Sequence, residues 1–290
     1  MQRVRLLTIN IWNQWGPWQE RLKVLRRALG TESPDVVGLQ EVLRMEQGGM
    51  SQLDEVGEGL YPHRAYAPAF TIDAETGFTF GNAVLSRLPF VDQAYIALPN
   101  PVPQEPRSLL YVLCQTPHGQ LPIFVTHLDW QLELSHVRCE QVSFIVAHMA
   151  AVLADAAKRP GADLLPAVLM GDFNAEPDSD EIRFLRGRHA LPLPSGGARR
   201  GAYFNDCYLY CGGDEKSGVT FARSNRYAQM EREPDRRIDY IFSALPDRFG
   251  RGEPLLAYRC LDKPEEGVFP SDHYGVTTEL RLAPVEKSQL

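Results

Sequence analysis

Residues 164–170 form an apolar run, Leu-Leu-Pro-Ala-Val-Leu-Met, that stops at Gly171-Asp172-Phe173-Asn174. A short apolar run closed by glycine reads as a buried strand whose last residues emerge at the rim of a sheet. Side chains repeat every second position along a strand, so Asp172 and Asn174 point the same way. A carboxylate beside a carboxamide suits a hard cation or an oriented water, although Asp-x-Asn also serves as ordinary turn chemistry. The pattern recurs. The run 4–9 ends at Asn10, the run 36–39 at Gln40-Glu41, and the run 121–126 at His127, with Asp129 two residues on. The apolar strand 237–242 carries Asp239 inside it, where an unpaired carboxylate is costly. Asp272 and His273 stand immediately before the last run, 274–280. Such a chain is constrained to build sheets whose strand ends gather polar side chains.

Further strands are expected at 78–86, 109–114 and 256–260. Helical spacing appears at 18–29, where Leu22, Leu25 and Leu29 share a face opposite basic residues, and Ser33-Pro34 ends that helix. A longer helix spans about 134–158, with Val142, Ile145, Val146, Met149 and Leu153 on its apolar face, and a third opens near 178–180. Strands outnumber helices, which predicts an α/β fold of two packed sheets with helices outside. Long loops are expected at 45–59, 100–106 and 188–203. One domain over 1–282, followed by a short tail at 283–290, accounts for the chain.

A formal charge of −7 over 290 residues provides no global basic field for bulk duplex binding. Arginines between 183 and 237 are interleaved with acids and read as a mixed-charge surface. The five cysteines form no CxxC pair, so reduced thiols are expected. With no apolar leader and no membrane-length run, the expectation is a cytoplasmic monomer.

In chain order, Asn10, Gln40-Glu41, Gly81-Asn82, Thr126-His127, Gly171-Asp172-Phe173-Asn174, Ile238-Asp239-Tyr240 and Ser271-Asp272-His273 resemble the motifs of the endonuclease/exonuclease/phosphatase superfamily, whose members are magnesium-dependent phosphoesterases. The resemblance covers residues 3–282. It implies a four-layer α/β sandwich and a metal-dependent hydrolase that cleaves a phosphodiester with an activated water. Mg2+ is the implied cofactor, with Mn2+ able to substitute. Glu41 is implied as the metal ligand, Asn10 would hold phosphate or the metal shell beside it, and Asp272 can reach a metal or cap the following turn. Asp172 would orient or deprotonate the water, Asn174 would grip a phosphate oxygen, and His273 would contact the scissile phosphate. Asp239 would fix the His273 ring, as a carboxylate behind a catalytic imidazole does. His127 would contact phosphate or stabilise the leaving group. Asn82 is expected to orient groups around the substrate. Arg107 stands before the strand at 109–114, where it can steer an anion or form a salt bridge.

The partner is a phosphodiester substrate, with a nucleotide or nucleic acid favoured. Sphingomyelinase-like and inositol-phosphate hydrolysis remain alternatives, as does a binding or scaffold protein that has lost catalysis. The segment 66–71 is the candidate for an apolar lipid-contacting hairpin.

Overall fold

The computed structural model describes residues 1–45, 48–49, 51–101, 105–192 and 197–285. In chain order the elements begin with β1 (Arg3–Asn10), α1 (Trp18–Glu32), β2 (Val36–Met45), α2 (Gln52–Gly57), β3 (His63–Asp73), β4 (Phe78–Ser86), β5 (Phe90–Ala97), β6 (Ser108–Thr116) and β7 (Gly119–His127). They continue with α3 (Ser135–Ala156), β8 (Val168–Asp172), α4 (Asp180–Leu185), β9 (Ala190–Pro192), β10 (Ala198–Arg200), β11 (Phe204–Asp206), α5 (Cys207–Tyr210), β12 (Asp239–Ala244), β13 (Pro254–Cys260) and β14 (Gly275–Arg281). Two six-stranded mixed sheets run in the orders β13-β14-β1-β2-β4-β3 and β11-β12-β8-β7-β6-β5. Helices lie outside them, as the pattern of runs predicts.

Strand alternation fills three layers of core. Val4, Leu6, Val36 and Val84 of the first sheet meet Val112, Ile123, Val125, Val168 and Met170 of the second. The residues between them face outward. Leu7, Ile9, Val37 and Leu39 pack with Leu25 and Leu29 of α1, and Leu113, Phe124 and Leu169 pack with Val142, Ile145 and Met149 of α3. Each such burial stabilises the fold by about 1.5–3 kcal/mol before chain entropy is counted. The sheets approach closely at Gly38, where an added Cβ would lie 2.9 Å from Met170 Cε and 3.1 Å from Val125 Cγ2.

Continuing each inward series in steps of two leads to one end of the inter-sheet space. Leu6 leads to Asn10 on β1, Val125 to His127 on β7, and Met170 to Asp172 on β8. The register aligns them. His127 pairs with Asp172 across the parallel β7–β8 ladder, and Asp172 pairs with Asp239 across the antiparallel β8–β12 ladder.

Five strands escaped the sequence reading: β3, β5 and the three-residue strands β9, β10 and β11. β3 and β5 each lie at a sheet edge, and β5 is mostly exposed, with Asp92 and Gln93 interrupting its apolar residues. The loop expected at 45–59 contains α2, opened by Ser51, whose hydroxyl accepts from Asp54 N at 3.3 Å. The loop expected at 188–203 carries the β9–β10 hairpin. Residues 46, 47, 50, 102–104 and 193–196 of the three expected loops, and 286–290 of the expected tail, lie outside the described residues. The start of that tail is tied down, with Ala283 N donating to Gln2 O and Val285 N to Phe249 O.

The expectation of no membrane-length run needs correction. The helical stretch Leu132–Ala156, 25 residues containing an 18-residue window of mean hydropathy 1.3, is long and apolar enough to cross a membrane by length and composition. In this fold Val142, Ile145 and Met149 pack it onto the second sheet.

Candidate active site

Backbone irregularities aim several of these side chains into the cleft. The β2–β4 ladder shifts register between Leu39 and Val42, and Glu41 within that bulge adopts φ +59°. Asn174, just past β8, has φ +50°. Positive φ is uncommon for residues other than glycine and clusters at functional positions. Gly171 has φ +144°, and a Cβ there would meet Thr126 O at 1.9 Å. Only glycine allows β7 and β8 to pair this tightly below Asp172.

The acids are wired together by amides. Asn10 Nδ2 donates to Asp172 Oδ2 at 3.0 Å and to Glu41 Oε1 at 3.1 Å. Its Oδ1 accepts from Trp12 N at 2.9 Å, so Asn10 presents donors to the acids and commits its oxygen elsewhere. Asn13 Nδ2 donates to the second Glu41 oxygen at 2.9 Å. Asp172 Oδ1 accepts from Asn174 N at 2.9 Å. Asp272 Oδ1 accepts from Ser271 Oγ at 3.0 Å, and that hydroxyl also lies 2.6 Å from Asn10 O.

His273 Nδ1 donates to Asp239 Oδ2 at 2.9 Å, and its Nε2 lies 3.8 Å from Asp172 Oδ2. Burial disfavours charge on His273, but Asp239, Asp272 and Asp172 outweigh it and hold the imidazolium well above its ordinary range. His127 is the opposite case. Burial, with Arg107 and His273 nearby, pushes it well below the ordinary range, so it is neutral. Burial, followed by the Asp239 charge, raises Asp172 to about 6, and burial with Glu41 nearby raises Asp272 to about 7. Two histidines in one cleft thus carry different charges, which is how a site separates a proton donor from a neutral contact.

Asn10, Glu41, His127, Asp172, Asn174, Asp272 and His273 all line one cleft of about 210 Å³. Asp239 lies behind His273, fully buried. Asn82 and Arg107 stand back from the cleft. Asn82 Nδ2 donates to Ser108 O at 2.9 Å, while Arg107 Nη1 lies 3.4 Å from His127 Nδ1 and Nη2 contacts Glu105 at 3.1 Å. Arg107 reaches the cleft through His127, whereas Asn82 bonds to Ser108, which does not line it.

Sequence reasoning missed Arg21. Its place in the helix at 18–29 puts it among the basic residues expected opposite the apolar face, yet it is fully buried. It donates to the carbonyls of Trp15 (3.0 Å), Ile11 (2.8 Å), Trp12 (3.2 Å), Asn13 (3.0 Å) and Pro270 (3.1 Å). The guanidinium therefore sews the loop after β1 to the segment that carries Asp272. Burial lowers it to about 10, still charged at neutral pH. Arg21→Met strands those carbonyls and is expected to cost about 3 kcal/mol or more. Thermal unfolding checks this. A melting temperature within about 2 °C of the parent would show that water replaces the guanidinium.

Solved structures share this architecture. An endonuclease/exonuclease/phosphatase from Beutenbergia cavernae superposes with a TM-score of 0.68 at 24% identity, covering 98% of this chain and 72% of the other. A D. rerio TDP2 complexed with single strand DNA product gives 0.69 at 18% identity, covering 97% of this chain and 100% of the other. Among curated proteins, CCR4-NOT transcription complex subunit 6-like-B of Xenopus laevis is 25% identical over 189 residues, 54% of this chain and 33% of its own length. Protein angel of Drosophila melanogaster is 27% identical over 192 residues, 63% of this chain and 51% of its own length. The chain thus spans a third to a half of these curated relatives. The model of the Endonuclease/Exonuclease/phosphatase family matches residues 7–273, a span that starts in β1 and ends on His273, and the chain belongs to that family.

Proposed function

We infer that the protein is a metal-dependent phosphodiesterase that cleaves a nucleotide-type substrate with an activated water. The carrying observation is the opposed pair at the cleft floor, with an ionisable Asp172 carboxylate 3.8 Å from a charged His273. Hydrolysis of a phosphodiester needs a base or orienter for water on one side of phosphorus and positive charge for the phosphoryl oxygens. Asp172, raised to about 6, is a stronger base than an ordinary carboxylate yet ionised at neutral pH. His273 donates from Nε2 to a phosphate oxygen, while Asp239 holds its other nitrogen. Asn174 and the neutral His127, 3.0 Å apart, form the adjoining wall and contact the phosphate.

Glu41, Asp172 and Asp272 offer hard oxygen donors to one cleft, which fits Mg2+ or Mn2+. Asp172, Asp239 and His273 also place ligand atoms within 4.8 Å of one another. Asp239 and His273 are already joined by a 2.9 Å hydrogen bond, which favours the set containing Glu41. When bound, the cation neutralises charge on the phosphate and leaving oxygen.

The sphingomyelinase-like alternative loses support at the β3–β4 hairpin, whose tip reads Asp73-Ala74-Glu75-Thr76 and is acidic. All five cysteines are free thiols, which supports a reducing, cytoplasmic setting. Residues 1–282 acting as one catalytic unit, as a monomer, complete this reading.

The test is hydrolysis of bis-p-nitrophenyl phosphate and p-nitrophenyl phosphate with Mg2+, Mn2+ or EDTA. Diester cleavage abolished by EDTA is expected. Cleavage that survives EDTA overturns the metal requirement, and no cleavage with no metal binding favours a scaffold role. Metal binding has its own signature. Below about pH 6, protons occupy Asp172 and Asp272, so the cation must displace them. The Mg2+-induced rise in melting temperature is therefore expected to be larger at pH 8 than at pH 5.5. An equal rise at both would place the ion elsewhere.

A further inference from the structure

Two tryptophans without a part in the chemistry face the cleft. Trp15, between β1 and α1, is 64% exposed, and Trp130, beyond β7, is 49% exposed. Both line the cleft that holds Asp172 and His273. Large aromatic rings left open to water at a reaction centre are apolar faces awaiting a ligand.

Neither ring sits on a loose loop. Arg21 donates to the Trp15 carbonyl and to those of Ile11 and Asn13 before it. On the other side the buried Arg138, paired with Glu181 at 2.7 Å, donates to Gln131 O at 2.6 Å and Asp129 O at 3.3 Å. Those carbonyls flank Trp130. Two buried arginines thus hold two loops, each presenting one exposed indole, so little loop ordering remains to oppose binding.

The charge around the rings narrows the ligand. Among the described residues lining the cleft, Arg236 is the single lysine or arginine, and it is paired with Glu233. Glu231 lines the same cleft. A polynucleotide track needs successive unpaired cations, one for each phosphate. This cleft offers a single phosphate centre with aromatic faces beside it.

We propose that Trp15 and Trp130 form a ring-binding subsite, and that the substrate is a small phosphodiester carrying a planar heteroaromatic ring, a nucleotide in preference to a polynucleotide. The proposal rests on the phosphodiesterase reading above and names its substrate class. Stacking on one ring face corresponds to a gain of about tenfold.

The experiment compares kcat/KM for thymidine 5′-(p-nitrophenyl) phosphate and methyl p-nitrophenyl phosphate, which share a leaving group. In the parent protein the thymidine ester is expected to lead by about tenfold or more. Trp15→Ala and Trp130→Ala should each lower that ratio, with Trp15→Phe and Trp130→Phe keeping most of it. A parent ratio near one, or a ratio untouched by both alanine variants, overturns the subsite. Extending the substrate from a thymidine dinucleotide to a twelve-nucleotide oligothymidylate should leave kcat/KM within about threefold. A gain above about tenfold that collapses with salt overturns the small-substrate half. If neither ester is turned over, the parent reading fails, but the subsite is still decided. Thymidine monophosphate must quench tryptophan fluorescence, and less so in the alanine variants, whereas inorganic phosphate must not. Absence of that quench overturns the proposal whatever the chemistry.

Discussion

Asp172→Asn will lower kcat on a phosphodiester by about 10³-fold while KM changes little. The substitution keeps the volume of a side chain that is 1% exposed and removes the charge and the basic oxygen. Asp172 is the one carboxylate set between the two halves of the site, accepting from Asn10 Nδ2 on one side and facing His273 Nε2 on the other. An asparagine there still occupies the register position opposite His127 and Asp239. It cannot take a proton from water. Circular dichroism and the melting temperature should show a folded protein, which separates lost chemistry from lost structure. A fall in kcat smaller than tenfold would move the base to another residue.

Asp239→Asn is expected to cost nearly as much and, unlike the first substitution, to change the shape of the pH profile. In the proposed mechanism the active form needs Asp172 ionised and His273 protonated. In the parent, activity therefore rises as pH passes about 6 and falls only when His273 loses its proton, well above the ordinary imidazole range. Asp239 is the largest charge holding that proton. Its Oδ1 has no hydrogen-bond partner among the described residues, so the carboxylate is directed to the imidazole through Oδ2 alone. An amide there removes the largest of the charges that oppose burial, and the His273 pKa drops. The same change removes a charge that raises Asp172, so the acid limb also moves down. The whole bell should shift toward acid, with a loss of about 10²–10³-fold at pH 7.5. Asp239→Asn combined with His273→Ala should cost little more than His273→Ala alone. A profile that keeps its alkaline limb would show that Asp239 is a structural acid.

Much of the sandwich was readable because buried strands leave apolar runs. Residues 4–9, 121–126 and 274–280 fall within or against β1, β7 and β14. The edge strand β5 is harder to read, since its residues are exposed or half-buried and polar residues interrupt it, whereas the edge strand β13 falls on the run expected at 256–260. The polar residues at strand ends were legible one at a time. Their alignment was not, because the pairing of His127, Asp172 and Asp239 depends on register between strands far apart in sequence. Arg21 and Arg138 were hidden for another reason. A buried arginine that donates to carbonyls shows the same residue type as a solvated one, and only the fold reveals what surrounds it.

The cleft is divided between sheets that share no hydrogen-bonded ladder with each other. Asn10 and Glu41 come from the first, and His127, Asp172 and Asp239 from the second. The distance from the acid that would hold a cation to the acid that would activate water is therefore a spacing between two slabs, set by contacts such as Gly38 against Met170 and Val125. Packing deep in the interior acts as the gauge of the reaction coordinate. Small volume changes far from any substrate can detune turnover while leaving each sheet intact.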